Sequence, residues 1–252
     1  MIRWCCYCQR FLGEVAPYDV PAFTHTICDP CDARLERDEP VMEETEPVRR
    51  LVKRLVESAV QGDRAACEAV IAEARALKLG AESLLVGMLQ PALYQAGLDW
   101  QAARMSVAAE HRLTGWCESV FSALPVAPLS RPLDLLIFQA PGNVHTLGPR
   151  IAAHVLAARG LSVEAIVPAL PLQEMVEQVQ RLRPRSVGFS CALPDAVPAA
   201  REVIARLRER LEPQLTCRYV LSGFAFRAGG ATSPPPLESG IEVVVALESF
   251  RP

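Results

Sequence analysis

Apolar positions along the chain change their period twice, and the changes divide it into three segments. The first stretch, residues 1–40, is aromatic and irregular, with little helical periodicity. From residue 48 to about 122 apolar residues recur at three- and four-residue spacing, as in "VRRLVKRLVESAV", and predict amphipathic helices. Gly62-Asp63 breaks the first of them, and Asp63 is placed to cap a second, "RAACEAVIAEARAL". Gly80 ends that helix and "AESLLVGMLQPALYQAG" follows. Gly97 and Asp99 then lead into "WQAARMSVAAEHRLTGWCESVFSAL". Four such helices with short links predict an up-and-down bundle.

Beyond a proline-rich joint, "LPVAPLSRP", the pattern alternates between strand and helix. The runs "LDLLIF", "SVEAIV", "SVGFS", "RYVLSG" and "IEVVVA" are short and nearly continuous in apolar residues, with helical segments between them. This predicts an α/β domain: a doubly wound, parallel, five-stranded Rossmann-like sheet buried on both faces. Such sheets bind ligands in the loops at the carboxyl ends of their strands.

Composition narrows the function. Half of the 252 residues are hydrophobic and the net charge is −3, as expected of a globular protein with no general attraction to nucleic acid or acidic membranes. No apolar run reaches the length of a membrane span, and "MIRWCCYC" lacks the form of a signal peptide, so a cytoplasmic location is the default.

The nine cysteines are unevenly placed. Cys5-x2-Cys8 and Cys28-x2-Cys31 form two knuckles whose four thiolates match a tetrahedral zinc site. Cys6 competes with Cys5, and His25 is either a neighbour of the ligands or an alternate ligand. Four thiolates leave no open position, so the zinc is expected to staple a segment too small to fold alone. The segment resembles the cysteine knuckle, ending in H-x-I-C-x-x-C, that accompanies sensory domains in bacterial signalling proteins. Between residues 10 and 46 acidic residues outnumber basic ones, which disfavours direct DNA contact and favours protein contact or dimerisation. The expected division is a zinc-ribbon-like module at 1–40, a helical cap bundle at 41–127 and a Rossmann-like domain at 128–252. The acidic "ERDEPVMEETEP" reads as a linker.

Within "LDLLIFQAPGNVHTLGPR", His145 stands in the loop after the first strand of the sheet. A neutral imidazole coordinates metal through one nitrogen while the other donates to a neighbour, for which Asn143 is placed. Gly148 leaves room at the helix start. The plainer reading is a polar loop residue that caps the helix.

The stretch Asn143 to Gly148 resembles the D-x-H-x-x-G motif of cobalamin-binding domains of the methionine synthase type. The resemblance implies that His145 replaces the cofactor's own base as lower axial ligand to cobalt. Two further signatures are similar: "GFSCAL" supplies Ser190 near the buried base, and "LSGFAF" retains Gly223 of a glycine pair that makes room for the nucleotide tail. Asn143 replaces the family aspartate and Ser222 the first glycine. A neutral amide cannot stabilise positive charge on the imidazole, so a weaker cobalt ligand is expected.

The bundle carries a second resemblance. Trp100 followed after nine residues by Glu110-His111 is similar to the cap of cobalamin-dependent photoreceptor regulators related to CarH, with Val107 where that family has a small residue over the cofactor. On one continuous helix, positions 100, 107, 110 and 111 share a broad face. The plainer reading is that Trp100 and Val107 fill core. The histidine that follows the tryptophan in that family is Gln101 here, which leaves His111 as the cap histidine.

These resemblances span about residues 48–250 and imply a cobalamin-binding sensor, with adenosylcobalamin favoured and light as signal. A protein partner in signalling or transcription control is expected, and a homo-oligomer is compatible with it. Two alternatives stand: a corrinoid carrier of a methyltransferase system, or a haem or linear-tetrapyrrole sensor on the same fold. No serine–histidine–acid arrangement, phosphate-binding loop or paired acid–base motif points to an enzyme. His154 falls inside a helix and reads as a packing or surface residue.

Overall fold

The computed structural model describes residues 1–37, 47–77, 79–125, 129, 132–212, 214–227 and 240–251. The acidic linker and the "RAGGATSPPPLESG" loop lie almost wholly outside these residues, and the proline-rich joint lies partly outside them. The chain forms two compact units, one of Met1–Val15 with Val20–Pro125, the other of Ala16–Asp19 with Val126–Pro252. Among the described residues no helix is long and apolar enough to cross a membrane.

In the first unit, β1 (Ile2–Cys5), β2 (Phe11–Glu14) and β3 (Phe23–Thr26) make a small sheet in the order β2-β1-β3, followed by α1 (Asp29–Leu35). The bundle begins with α2 (Pro47–Gln61) and α3 (Arg64–Ala76). Val48, Leu51, Val52, Leu55 and Ala59 form the buried stripe of α2, at the spacing that places them on one face. Each buried leucine of this kind contributes about 2 kcal/mol of transfer free energy. Asp63 caps α3, its carboxylate accepting from the Ala66 amide at 2.9 Å.

The third helix is continuous but not uniform. α4 (Ala81–Leu84) passes through a π-helical turn at Leu85–Leu89 into α5 (Gln90–Gln101). Pro91 explains the widened turn: it has no N–H for the carbonyl of Gly87, and its ring would collide with that carbonyl in an α-helix.

The fourth helix, α6 (Val107–Ser122), starts later than the sequence pattern suggests. Gly97 and Asp99, read as the break, lie inside α5. The chain turns at 102–106 instead, with Ala103 at φ 56°. Asp99 holds this turn: its carbonyl accepts from the Arg104 and Met105 amides at 2.7 and 3.1 Å, and its carboxylate from Arg104. Ser106 caps α6 by accepting from the Ala109 amide at 3.2 Å. Ser106→Ala is expected to cost about 1 kcal/mol, read as roughly fivefold faster amide exchange in the first turn of α6.

The second unit is the doubly wound sheet. Its strands are β4 (Leu135–Gln139), β5 (Val163–Ile166), β6 (Ser186–Ser190), β7 (Arg218–Ser222) and β8 (Ile241–Val244), all parallel in the order β5-β4-β6-β7-β8. Between them run α7 (Leu147–Ala158), α8 (Leu172–Leu182) and α9 (Ala196–Leu211). Alternate residues of β4 serve opposite cores. Leu136 and Phe138 pack with Met175, Phe189 and Ile204, while Leu135 and Ile137 pack with Leu156, Val220 and Phe250. The chain leaves β4 toward β5 on one side and returns to β6 on the other. The carboxyl ends of β4 and β6 therefore border the crevice that this topology opens for a ligand.

Candidate functional site

His145 lies in the loop that joins β4 to α7, at that crevice, with its ring exposed. The loop is fixed from below by Ser190, the last residue of β6. The Ser190 carbonyl accepts from the Ala140 amide at 3.1 Å and from the Asn143 side-chain nitrogen at 2.9 Å. Gln139, buried at the end of β4, donates its side-chain amide to the Asn143 carbonyl. Asn143 itself is buried at 8% exposure and leaves its side-chain oxygen toward His145.

Elementary donor and acceptor chemistry fixes the protons here. A carbonyl only accepts, so the group facing Ser190 must be the NH2 of Asn143. A backbone amide only donates, and that of His145 points at Asn143 Oδ1 from 3.1 Å, so the other end must be oxygen. An amide oxygen carries no hydrogen. His145 Nδ1, 3.2 Å from the same oxygen, must therefore be the protonated nitrogen. In the neutral ring Nε2 is then the nitrogen with the lone pair, and it has no hydrogen-bond partner among the described residues. That is the donor set a metal ligand needs, and it fits an axial cobalt ligand.

The two other positions of this region differ from each other. At Gly148 an added side chain would find only Ser190 Oγ, 4.0 Å away, so the start of α7 borders open space beside Ser190. Gly223, by contrast, is closely covered by protein. A Cβ there would lie 2.2 Å from the Cys191 carbonyl oxygen. Close passage of the chain is sufficient reason for glycine at 223, with or without a cofactor tail.

In the bundle, Trp100, Val107, Glu110 and His111 do not lie on one helix, contrary to the sequence expectation. Trp100 is in the last turn of α5 and the others are on α6, separated by the Asp99-held turn. Trp100 and Val107 are 51% and 52% exposed, so neither fills the bundle core. Glu110 accepts from Thr114 Oγ1 at 2.8 Å, and His111 Nε2 is 3.5 Å from its other oxygen. The His111 side chain is largely exposed rather than turned inward. The inward charged pair expected from the sequence is therefore not what the bundle holds, because Val107 and His111 are exposed and Glu110 is half-buried, while Ala109, Leu113 and Cys117 fill the core. His154 is half-buried on α7, where burial lowers its basicity.

The amino-terminal cysteines converge. The sulfurs of Cys5, Cys8, Cys28 and Cys31 all lie within 4.8 Å of one another, with Cys8 and Cys28 3.6 Å apart; Cys6 and His25 are not in the group. Parallel pairing of β1 with β3 sets Cys5 beside Thr26 and so brings the two knuckles together. Gln9, at φ 56°, closes the first knuckle, and Cys28 caps α1, whose first turn carries Cys31. Burial opposes ionisation of Cys5, but amides from Cys8, Tyr7 and Cys28 outweigh it and bring its pKa down to about 6. Burial pushes the Cys31 thiol up. A cation would have to ionise it, and this cluster of four thiols fits a soft or borderline divalent metal. Cys67, Cys117, Cys191 and Cys217 are buried, and burial pushes Cys67 to about 11 and Cys191 to about 12, which marks them as packing groups.

Residues 51–124 match the family model of the B12 binding domain. The HTH-type transcriptional repressor CarH of Myxococcus xanthus is 28% identical over 125 residues, covering 49% of this chain and 42% of that protein. Dimethylamine corrinoid protein 1 of Methanosarcina acetivorans is 24% identical over 98 residues, 38% of this chain and 46% of that protein. The chain thus spans less than half the length of either relative. Among solved structures, the monomethylamine corrinoid protein of Methanosarcina barkeri shares the fold, with a TM-score of 0.60 over 79% of this chain and 94% of that one, at 15% identity. In sequence and in fold, the chain resembles cobalamin-binding-domain proteins that join a helical bundle to a doubly wound sheet, and it adds a cysteine-cluster module at the amino terminus.

Proposed function

We propose that the protein is a cobalamin-binding regulatory protein in which His145 is the lower axial ligand. The observation that carries this reading is the Ser190–Asn143–His145 clamp, which locks Nδ1 as a donor and leaves Nε2 free at the sheet's crevice. Bound cobalamin would supply a cobalt whose axial position takes a nitrogen base. The chain's own work is to hold that base still: Asn143 orients the ring, and Gly148 and Ser190 leave space beside the start of α7. Trp100, Val107, Glu110 and His111 supply the bundle's contribution. The exposed aromatic and valine are apolar contact groups, and the carboxylate and imidazole can hydrogen-bond.

The finer reading is adenosylcobalamin as the light-responsive form, with the state of the bundle passed to a protein partner. The match to a transcriptional repressor supports it. The thiolate cluster holds zinc in a structural role, and the acidic flank of that module suits a protein contact better than DNA. A second reading, a corrinoid carrier serving a methyltransferase, is favoured by the shared fold and by the corrinoid-protein relative.

Reconstitution in darkness with adenosylcobalamin, beside haem as a control, tests the ligand. The wild type, labelled with 15N-histidine and taken to cobalt(II) by anaerobic photolysis, is expected to displace the cofactor's own base and to show the doublet splitting of a protein imidazole rather than the triplet of the unlabelled base. His145→Ala is expected to lose that splitting. An identical spectrum in the variant would remove His145 as ligand. Illumination that changes neither the visible spectrum nor the hydrodynamic size would remove the light reading, and methyl transfer from methylcobalamin to a thiol would favour the carrier.

A further inference from the structure

The cysteine module and the bundle share one compact unit, and their contact falls at the weakest point of the third helix. Trp4 immediately precedes the cluster residue Cys5 and is only 2% exposed. Its ring occupies a slot over Gly87 so tightly that a Cβ on Gly87 would lie 2.4 Å from Trp4 Cζ2 and 3.2 Å from Phe11 Cδ2. Phe11 meets the Trp4 ring edge-on at 5.8 Å between centroids. Gly87 is the centre of the π-helical turn Leu85–Leu89 that Pro91 imposes. One residue beyond that turn, Gln90 donates to the buried Glu14 at the end of β2, at 3.0 Å.

These features make Trp4 a wedge. The π-turn spreads the backbone, glycine removes the side chain, and the indole fills the opening. Among the described residues the indole has no polar anchor, since Trp4 Nε1 is buried without a hydrogen-bond partner there. Its position is set by packing and by the strand that carries it. That strand has four residues, pairs with two others of four, and brings Cys5 within 4.8 Å of the sulfurs of Cys8, Cys28 and Cys31, the last of them on α1. A sheet this small lacks the core to hold itself when the thiols are not joined.

We propose that the Cys5–Cys8–Cys28–Cys31 cluster is a metal-responsive site whose occupancy sets the order of the third bundle helix through Trp4 seated on Gly87. With metal bound, β1 is fixed and the wedge supports the π-turn. With metal released, the strand loosens, the slot over Gly87 opens, and the helix loses order at the turn where Pro91 has already removed a hydrogen bond. α5 continues from that turn to Trp100, so the cluster acts on a residue that the cobalamin reading assigns to the cofactor. The coupling itself does not depend on that reading.

The test is hydrogen exchange on the full chain, reduced, with stoichiometric zinc and after its removal by a chelator. Exchange in residues 81–96 is expected to accelerate about tenfold or more on zinc removal, together with residues 1–35, while the strands of the parallel sheet stay unchanged. Acceleration confined to residues 1–35 would overturn the proposal. Trp4→Ala retains all four thiols, and cobalt(II) in place of zinc reports their occupancy through sulfur-to-metal absorption. In that variant residues 81–96 are expected to exchange rapidly with or without metal. Protection there that still returned on metal addition would also overturn it. Neither readout involves cobalamin, so failure here is separate from failure of His145 as ligand.

Discussion

Gly223→Ala is expected to destabilise the parallel-sheet unit by about 4 kcal/mol or more, among the largest effects any single methyl could have in this chain. Two costs combine. Gly223 has φ 113° and ψ 177°, a backbone region essentially reserved for glycine, and forcing alanine into it costs about 1–3 kcal/mol. The new methyl would also stand 2.2 Å from the Cys191 carbonyl oxygen and 2.8 Å from its carbon. Neither can withdraw cheaply. The Cys191 amide donates to the Ser222 carbonyl at 2.8 Å and its carbonyl accepts from Ala225 at 3.1 Å, so moving one end breaks both bonds. The resulting fall in thermal midpoint is about 10 °C or more for a unit of this size. Calorimetry without cofactor is the decisive condition. A variant as stable as wild type when empty, and impaired only in binding cobalamin, would show that the glycine serves the cofactor's tail rather than the chain.

This glycine shows where a sequence stops informing. The bundle and the sheet were readable because their apolar residues repeat at periods that burial enforces locally: Leu51, Leu55 and Ala59 on one helix face, Leu135 to Phe138 along one buried strand. The two C-x-x-C knuckles were readable because the ligand geometry is written in the spacing, and Cys5, Cys8, Cys28 and Cys31 do converge. The turn before α6 was misplaced because Asp99 has two uses. As a helix start it would cap with its carboxylate, yet here it closes the preceding helix and binds Arg104. The overlooked signal was Ser106, a sound cap residue ahead of "VAAE". The π-turn was foreshadowed only by Gly87 and Pro91 four apart, and its occupant, Trp4, is more than eighty residues away. The orientation of Asn143 was likewise hidden, since it depends on the Ser190 carbonyl, 47 residues on.

That orientation gives the second large effect. Asn143→Asp restores the residue of the resembled motif, yet it is expected to weaken this protein at neutral pH. The Asn143 NH2 donates to the Ser190 carbonyl at 2.9 Å inside a buried site. A carboxylate there has two acceptor oxygens, one of them aimed at another acceptor, and loses the donor that the carbonyl needs. The expected cost is about 1–3 kcal/mol for the unsatisfied buried groups. The variant avoids part of this by holding a proton on the oxygen that faces Ser190, which then donates as the amide did. The folded-state pKa of the introduced carboxyl thus rises above its unfolded value of about 3.9. The folded state then binds the proton more tightly than the unfolded one. Stability is consequently full below that unfolded value and is lost as pH rises through the folded one. Wild type has no such group at this position and should lack the loss. The comparison is made by chemical denaturation of both forms from about pH 3 to 8, a range that brackets the carboxyl's titration and distinguishes two meanings of the asparagine. A cost at neutral pH that fades in acid makes the amide the correct partner for Ser190 and His145 together. A variant as stable as wild type throughout, with its carboxylate ionised, would mean that the clamp tolerates the charge and that the amide is dispensable.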